Sequence, residues 1–258
     1  DKEEVSDKEE MFEGAEYTGT ALNWGSSSID YNTSATSFSS YNCSSIEITG
    51  NSKPVKKSSD GSDMYYGTNM DLKLYNAGYT VDSSGNRIPM NVRIHGESSK
   101  GFVFYTNGGY ASIKGAAAYT GKTPSKGYNV IELYFYFYDA RNNNSLSVNG
   151  VMQMVDIDTN EGYVLRNGVT NVYLTSGSNI FLGTLGTTTK YWLSKTNDDT
   201  NGTDRNNAMQ ITYSSTPSSP LHIGYYCEKK NSTRGMSFKH EDISVNYHAQ
   251  SGKDWPSG

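Results

Sequence analysis

The run Val130-Ile131-Glu132-Leu133-Tyr134-Phe135-Tyr136-Phe137-Tyr138 constrains the fold more than any other part of the sequence. β-Branched and aromatic side chains are enriched in strands because they fit a pleated, half-buried surface. An almost unbroken run of such residues is typical of a central strand with both faces at least partly covered. We therefore expect residues 130–138 to form the heart of a β-protein core.

The rest of the chain repeats short strand-like segments separated by clusters of Gly, Ser, Asn and Asp. Only 34% of the residues are hydrophobic, so the 21 tyrosines and 8 phenylalanines must supply much of the buried apolar surface. The pattern predicts an antiparallel all-β sandwich, lectin-like or jelly-roll-like, with little helix. The predicted strands cover residues 45–49, 71–75, 91–95, 101–105, 130–138, 146–157, 168–174, 179–182, 190–193, 209–213, 222–227 and 243–248.

Two pairs of these segments are close enough in the sequence to suggest hairpins. Residues 130–138 and 146–157 flank the polar segment 139–144, which has the composition of a turn. Residues 168–174 and 179–182 are separated by a shorter polar segment. We expect each pair to lie side by side in one sheet.

The domain organisation follows from length and charge. A chain of 258 residues fits one large sandwich. We expect residues 1–13 to form a charged flexible leader, 14–249 a single binding domain, and 250–258 a linker or terminal tail.

The modest net charge of −5 and the dispersed basic residues argue against a nucleic-acid partner. No apolar run approaches the roughly 20 residues that a membrane-spanning helix needs, so we expect no membrane insertion.

Cys43 and Cys227 are separated by most of the chain. They either form a disulfide that joins an early strand to a late one, or pack as two buried thiols. A bridge closing so long a loop would contribute about 4 to 5 kcal/mol in the chain-entropy account. The sequence leaves both possibilities open.

The common catalytic motifs are missing from the sequence. It has no nucleophile elbow, P-loop, GxGxxG or HExxH, and we predict that the protein is not an enzyme.

The acidic segment around Asp156, Asp158 and Asn160 allows three interpretations. Turn chemistry is favoured because Asp and Asn side chains satisfy backbone donors there. The spacing also matches the start of a calcium loop, which makes these residues a weak metal-site hypothesis. The third interpretation is a catalytic carboxylate pair, in which Asp156 and Asp158 lie on the same face of a strand. No other cofactor is expected.

Three segments resemble a pattern in the N-terminal adhesin domains of Gram-positive, streptococcal-type wall-anchored surface proteins. They are YDARNNNSLSVNG at 138–150, MVDID at 154–158 and GVTNVYL at 168–174. The resemblance implies a lectin-like β-sandwich that is secreted or displayed on the bacterial surface. It further implies an adhesin head with a role in host interaction and virulence. Its partners would be host glycans, such as galactose-containing glycolipids, or host proteins such as complement regulators or matrix proteins. It would act as a monomeric domain displayed in many copies.

Binding by such a domain is expected on its loops, which a rigid sandwich positions. A sugar site needs an aromatic face and hydrogen-bonding side chains. Tyr191 and Trp192 directly precede a polar loop at 197–207, although Trp192 could equally be a core residue. The polar contacts of this first candidate site would come from Asp198, Asp199, Asn201, Arg205 and Asn206. A second candidate site comprises His95, Glu97, Tyr105 and Asn107.

Two alternative functions remain open at this point. A structural stalk domain usually shows an internal repeat, and we find no period of about 20 to 50 residues. A carbohydrate-active enzyme would need a general acid and base paired across a cleft. The sequence favours an adhesin head over both.

Overall fold

The computed structural model describes residues 16–24, 36–41, 43–54, 56–58, 61–107, 110–120, 128–185, 188–200, 204–228 and 235–237. The predicted strand at 243–248, the leader 1–13 and the tail 250–258 lie outside the described residues. The strands are β1 (Leu22–Asn23), β2 (Ser37–Phe38), β3 (Ser45–Gly50), β4 (Lys56–Lys57), β5 (Asp63–Val81), β6 (Arg87–Asn107), β7 (Tyr110–Gly115), β8 (Tyr128–Asp139), β9 (Ser145–Leu146), β10 (Val148–Met154), β11 (Glu161–Asn167), β12 (Val169–Leu174), β13 (Ile180–Thr184), β14 (Lys190–Ser194), β15 (Met209–Ser215), β16 (Leu221–Glu228) and β17 (Gly235–Ser237).

The strands form two sheets. The larger sheet has the order β13-β14-β11-β16-β8-β6-β5-β2, with β3 and β4 paired to β5, β7 to β6, β9 to β8 and β17 to β7. The smaller sheet has the order β1-β12-β15-β10. The main hydrophobic core contains side chains from both sheets, for example Phe135 of the larger and Ile211 of the smaller. The chain is therefore an all-β sandwich, as the sequence predicts, and the pairings among the described residues are antiparallel apart from β1 with β12 and a bridge from Thr36 to Gly150.

Strand β8 lies in the middle of the larger sheet, between β6 and β16. The side chains of Leu133, Phe135 and Phe137 are at most 2% exposed and belong to the main core. Tyr134 and Tyr136 point to the other side, because successive strand residues face opposite ways. The predicted central strand is confirmed. We call the side of the larger sheet that faces away from the main core the outer face.

β5 and β6 form one long ribbon of 19 and 21 residues, in which three of the predicted strands merge. The turn between them is closed by Asp82, whose carboxylate accepts hydrogen bonds from the backbone N–H groups of Ser84 and Asn86. Gly85 in this turn has φ +83°, which glycine adopts without strain. At Gly78 a side chain would contact the backbone of Ser37 at 2.0 Å, so glycine allows β2 to pair here.

Both predicted hairpins are wrong in their sheet assignment. β8 pairs with β9 over two residue pairs only, after which the chain crosses and β10 pairs with β15 in the smaller sheet. β12 also lies in the smaller sheet, whereas β13 pairs with β14 in the larger one. A two-residue periodicity predicts a strand and its buried face, but it does not reveal which of two packed sheets the strand joins.

Helix is scarce among the described residues, as predicted. It consists of α1 (Ala117–Thr120) and a 3-10 turn (Arg205–Asn207). In this part of the chain, no helix has the length and apolar character needed to cross a membrane.

The two cysteines are not joined in a disulfide. Cys43 precedes β3, which pairs with β5, whereas Cys227 lies on β16, with β6 and β8 between β5 and β16. Of the two alternatives, the disulfide between an early and a late strand is therefore wrong, because β5 and not β16 pairs with the strand after Cys43. Cys227 is buried in the core, and Cys43 is partly buried, which raises the pKa of its thiol.

Reducing agent is therefore expected to leave the melting temperature unchanged. A disulfide contributing about 2–5 kcal/mol would make the melting temperature drop by about 5 °C or more on reduction, because 1 kcal/mol corresponds to about 2–4 °C in a domain of this size. Calorimetry with and without dithiothreitol measures the difference. Alkylation of both thiols after unfolding without reductant is the matching check, and a two-dalton mass deficit in the oxidised protein would contradict the structure.

Candidate binding site on the outer face of the larger sheet

The aromatic pair of the first predicted site is buried. Trp192 is 3% exposed and packs in the main core. Tyr191 is fully buried in a smaller apolar cluster with Leu185 and Tyr226. Both side chains are covered because one face of β14 packs in the main core through Trp192 and the other packs in the smaller cluster through Tyr191. The prediction that these two rings form a binding platform is wrong.

The polar side chains of the loop after β14 form hydrogen bonds within the loop and to neighbouring parts of the sandwich. Asp198 accepts from the backbone and the hydroxyl of Thr200, at 2.7 and 2.6 Å. Asn206 accepts from the hydroxyl of Thr175 at 2.6 Å. Asn207 is 1% exposed, and its amide donates to the backbone oxygens of residues 157 and 196. The loop is therefore anchored to the sandwich. Asp199 and Arg205 remain exposed, and Asn201 lies outside the described residues.

The acidic segment after β10 forms a turn and not a strand. Asp156 is exposed with φ +56°, a left-handed conformation that Asp tolerates in turns. Asp158 is 5% exposed, and its carboxylate accepts a hydrogen bond from the backbone N–H of Asp198 at 2.8 Å. Turn chemistry is thus the interpretation that these contacts favour, and the shared strand face assumed for a catalytic pair is wrong. Calcium at Asp156, Asp158 and Asn160 stays a prediction; the described residues contain no group of three or more His, Cys, Asp or Glu side chains placed to hold a metal.

The second predicted site is split along β6. His95 and Glu97 lie in the middle of the strand on the outer face, whereas Tyr105 and Asn107 lie near its end. Tyr105 is 6% exposed, and Asn107 is exposed as the last residue of β6. The structure therefore brings His95 and Glu97 together and separates them from the other two.

His95 and Glu97 belong to a polar row that crosses the outer face. Sheet register aligns Asp71 of β5 with His95, His95 with Tyr134 of β8, and Tyr134 with His222 of β16. The two ring nitrogens of His95 lie 2.8 Å from the Asp71 carboxylate and 2.9 Å from the Glu97 carboxylate. The row spans four adjacent strands and is joined by hydrogen bonds between Asp71, His95 and Glu97 and by ring stacking between Tyr134 and His222.

Arg93, two residues before His95, is held from three sides. Its NH1 group donates to Asp71 and its Nε to the Tyr138 hydroxyl, each at 3.1 Å. Its guanidinium carbon lies 4.1 Å from the centre of the Tyr136 ring, which is the geometry of a cation–π contact. Burial by itself lowers the pKa of Arg93, but the hydrogen bonds to Tyr138 and Asp71 outweigh it, and the pKa is raised. The group is therefore a fixed, charged donor.

Next to Arg93 the outer face contains a groove of about 230 Å³. The groove lies where β9 and the turn after β15 meet the end of β8, so that aromatic rings, hydroxyl side chains and two apolar side chains all line it. Its lining residues are Arg93, Tyr136, Phe137, Tyr138, Ser145, Leu146, Ser215, Thr216 and Pro217.

A buried ionic network supports this face from one side. The Glu132 carboxylate is fully buried and accepts two hydrogen bonds from Arg166, at 3.1 and 3.2 Å. His222 Nε2 lies 2.7 Å from the same carboxylate, and the His222 ring stacks on Tyr134 with 4.0 Å between centroids. Burial, together with the negative charges of Glu97 and Glu132, raises the pKa of Tyr134 to about 12. Its hydroxyl therefore remains a hydrogen-bond donor at neutral pH.

Sequence analysis missed Arg93, Asp71, Tyr136 and Tyr138. The alternation of Tyr with Leu and Phe along residues 133–138 was a usable signal, because it places the tyrosines together on the face away from the core. Arg93 and Asp71 carry no comparable signal. They reach the tyrosines only through the pairing of β5, β6 and β8.

Taken together, the fold and the groove define a β-sandwich domain with a small cleft lined by aromatic and polar side chains. The sequence matches no protein-family model, and no curated protein is detectably similar to it. Among solved structures, the chain is similar to the N-terminal domain of a Streptococcus gordonii adhesin, with a TM-score of 0.48 and 11% identity over 85% of this chain and 64% of that one. It is also similar to glucan-binding protein C of Streptococcus mutans, with a TM-score of 0.44 and 11% identity over 76% of this chain and 66% of that one.

The chain thus spans about two thirds of the length of each of these two structures.

Glu132→Gln is expected to lower the free energy of unfolding by about 3–5 kcal/mol, because it removes the buried negative charge that accepts two hydrogen bonds from the Arg166 guanidinium. Glu97→Gln is the matched control, since Glu97 lies directly opposite Glu132 on β6 but has a side chain 38% exposed. We expect the control to lose less than about 1 kcal/mol. Urea unfolding followed by tyrosine fluorescence gives both values, and equal losses would show that the buried network contributes nothing special.

Proposed function

We propose that this chain is an extracellular adhesin-type domain that binds carbohydrate in the groove beside Arg93. The observation that carries the proposal is a charged arginine fixed between two tyrosines, in a groove that Ser145, Ser215 and Thr216 also line. The groove replaces the polar loop 197–207 as the predicted site.

A pyranose ring matches this arrangement of groups. Small-molecule sites combine aromatic and apolar surface with a few placed polar groups, and a sugar offers apolar C–H patches together with hydroxyls. The rings of Tyr136 and Tyr138 supply the aromatic surface. Arg93 has five N–H donors, of which the structure uses two, and Ser145 and Thr216 can both donate and accept. At about 230 Å³ the groove is smaller than the roughly 300–1,000 Å³ of drug-sized sites, which suits one or two sugar units.

The groove is built on rigid elements, which reduces the entropy lost on binding. Ser215 ties the turn after β15 to the sheet: its hydroxyl donates to the Phe135 backbone oxygen and accepts from the Leu221 N–H. The turn itself is closed by hydrogen bonds between Thr216 and Ser219. One wall of the groove is therefore held in place before any ligand arrives.

The groove favours binding over hydrolysis. A glycosidase needs two carboxylates about 5 to 9.5 Å apart across the scissile bond. The described lining has no carboxylate, and Asp71 nearby is engaged with Arg93 and His95. A stalk domain, the other alternative, has no need of a preformed groove of this chemistry.

The remaining parts of the proposal concern the ligand and the setting. The sequence resemblance supports a domain that is secreted or wall-anchored, displayed in many copies and directed at host glycans, including galactose-containing glycolipids. A single shallow groove binds weakly, so attachment would depend on multivalent display. Host proteins such as complement regulators or matrix proteins remain a second class of partner.

Arg93→Ala is expected to weaken glycan binding at least tenfold, because hydrogen bonds to charged groups contribute about 1.5–3 kcal/mol each. The ligand comes from an array of host and galactose-terminated glycans, and isothermal calorimetry then gives the affinities of wild type and variant. Arg87→Ala is the matched control, since Arg87 also lies over a tyrosine ring, Tyr79, at 4.2 Å, but outside the groove.

Thermal melting shows whether both variants fold. The proposal predicts lost binding in Arg93→Ala and retained binding in Arg87→Ala, with similar melting temperatures. A folded Arg93→Ala protein that binds its glycan as the wild type does would exclude the groove as the site. An array without any bound glycan would leave the stalk hypothesis as the better one.

A further inference from the structure

A second cluster of aromatic residues lies on the outer face at the far end of β5 and β6. Register aligns Lys56 of β4 with Met64 of β5 and Met64 with Tyr105 of β6. Met64, Val103 and Tyr105 form a small apolar cluster that is separate from the main core. Val103 is ten residues beyond Arg93 on β6, which at about 3.3 Å per residue puts about 33 Å of strand between this cluster and the groove.

Tyrosines and lysines cover this small cluster. We call the covering residues the tyrosine–lysine patch; they are Tyr41, Lys56, Tyr66, Tyr110, Lys114 and Tyr119. Tyr66 stacks on Tyr119 with 5.2 Å between centroids, and Tyr41 stacks on Tyr110 at 6.2 Å. Tyr41 is 50% exposed, although it is a large aromatic side chain. The patch thus presents aromatic surface to solvent at a site that the groove does not use.

The lysines of the patch lie over tyrosine rings. Lys114 Nζ is 4.2 Å from the centre of the Tyr105 ring, and Lys56 Nζ is 5.6 Å from that of Tyr119. Lys56 also donates to the Tyr119 backbone oxygen at 2.7 Å. An ammonium group has three N–H donors and no acceptor, and each tyrosine adds a hydroxyl. The chemistry offered outward is therefore donor-rich and cationic.

The patch is positive in an otherwise balanced domain. The first thirteen residues carry seven acidic and two basic side chains, which accounts for the whole net charge of −5. Apart from Tyr41, the patch and its surroundings come from five segments that contain four lysines and one acidic residue, Asp63. The segments are residues 51–54, 56–58, 63–67, 102–107 and 110–120. Asp63 is paired with Lys57. An excess of positive charge remains to attract an anionic partner.

We propose that the tyrosine–lysine patch is a second binding surface, and that it takes an acidic segment of a protein partner. Tyrosine is enriched at the energetic centres of protein interfaces, and carboxylates complement the lysine donors. Sulfated polysaccharides are a poorer match, because they offer little apolar surface to pack against the partly exposed tyrosine rings. The proposal does not depend on carbohydrate binding in the groove.

The test uses the full chain and a fluorescein-labelled peptide of repeating Glu-Glu-Tyr, followed by fluorescence anisotropy. We expect binding that weakens about tenfold in the double variant Lys56→Glu with Lys114→Glu, and that falls as salt rises from 50 to 500 mM because exposed charges are screened. Lys73→Glu is the matched control, since Lys73 lies on the outer face of β5 far from the patch and is 37% exposed. The control is expected to bind as the wild type does.

Tyr41→Ala gives an independent readout, because half of this side chain is exposed and its loss is not expected to unfold the domain. We expect a severalfold loss of peptide affinity with an unchanged melting temperature. Undiminished binding in both patch variants, or an equal loss in Lys73→Glu, would overturn the proposal. A heparin octasaccharide that binds through the patch while the peptide does not would replace the protein partner by an anionic polysaccharide.

Discussion

The outer face depends on the division of β8 into two chemically different sides. Leu133, Phe135 and Phe137 fix the strand to the core, and hydrogen bonding to β6 and β16 on its two edges leaves it no freedom to shift. A slip of one residue would exchange the two faces and bury the tyrosines in place of the core residues. Core packing therefore positions Tyr134 and Tyr136 indirectly. Because the strand cannot shift, the side chains of the polar row and of the groove are also held in fixed positions.

The buried carboxylate of Glu132 is the exception to this division, because it is a charge in the middle of the sheet with no exposed surface. Taking an ion pair out of water costs several kcal/mol per ion, and replacement of such pairs by apolar residues is often neutral or stabilising. The bidentate contact with Arg166 and the contact with His222 satisfy the carboxylate, yet they are weak evidence of added stability. A more consistent interpretation is positional: His222 stacks on Tyr134, so the network orients the edge of the polar row.

Local sequence pattern predicted the strands and the fold class because strand propensity and two-residue alternation are properties of neighbouring residues. It failed where partners are distant in the chain. Trp192 resembled a platform residue because the segment after it is polar, but its face of β14 packs in the main core. Cys43 and Cys227 looked like a closing bridge because they stand early and late, yet the long β5–β6 ribbon separates their strands. Arg93 reaches Asp71 and Tyr138 only across two strand pairings, so no local pattern reveals it.

The groove and the tyrosine–lysine patch share one face and one strand, β6, which connects them as a stiff element. Between them, Gly101 has φ +80°, and a side chain there would contact the Tyr66 hydroxyl at 2.5 Å, so close packing of Tyr66 depends on glycine. The ladder between β5 and β6 has an irregularity at the same level, between Gly67 and Asn69. Bulges of this kind bend a strand and increase its twist. The relative direction of the two surfaces is thus set by backbone geometry, and a partner carrying both a glycan and an acidic segment would gain from simultaneous contact only if its own spacing matches that of β6.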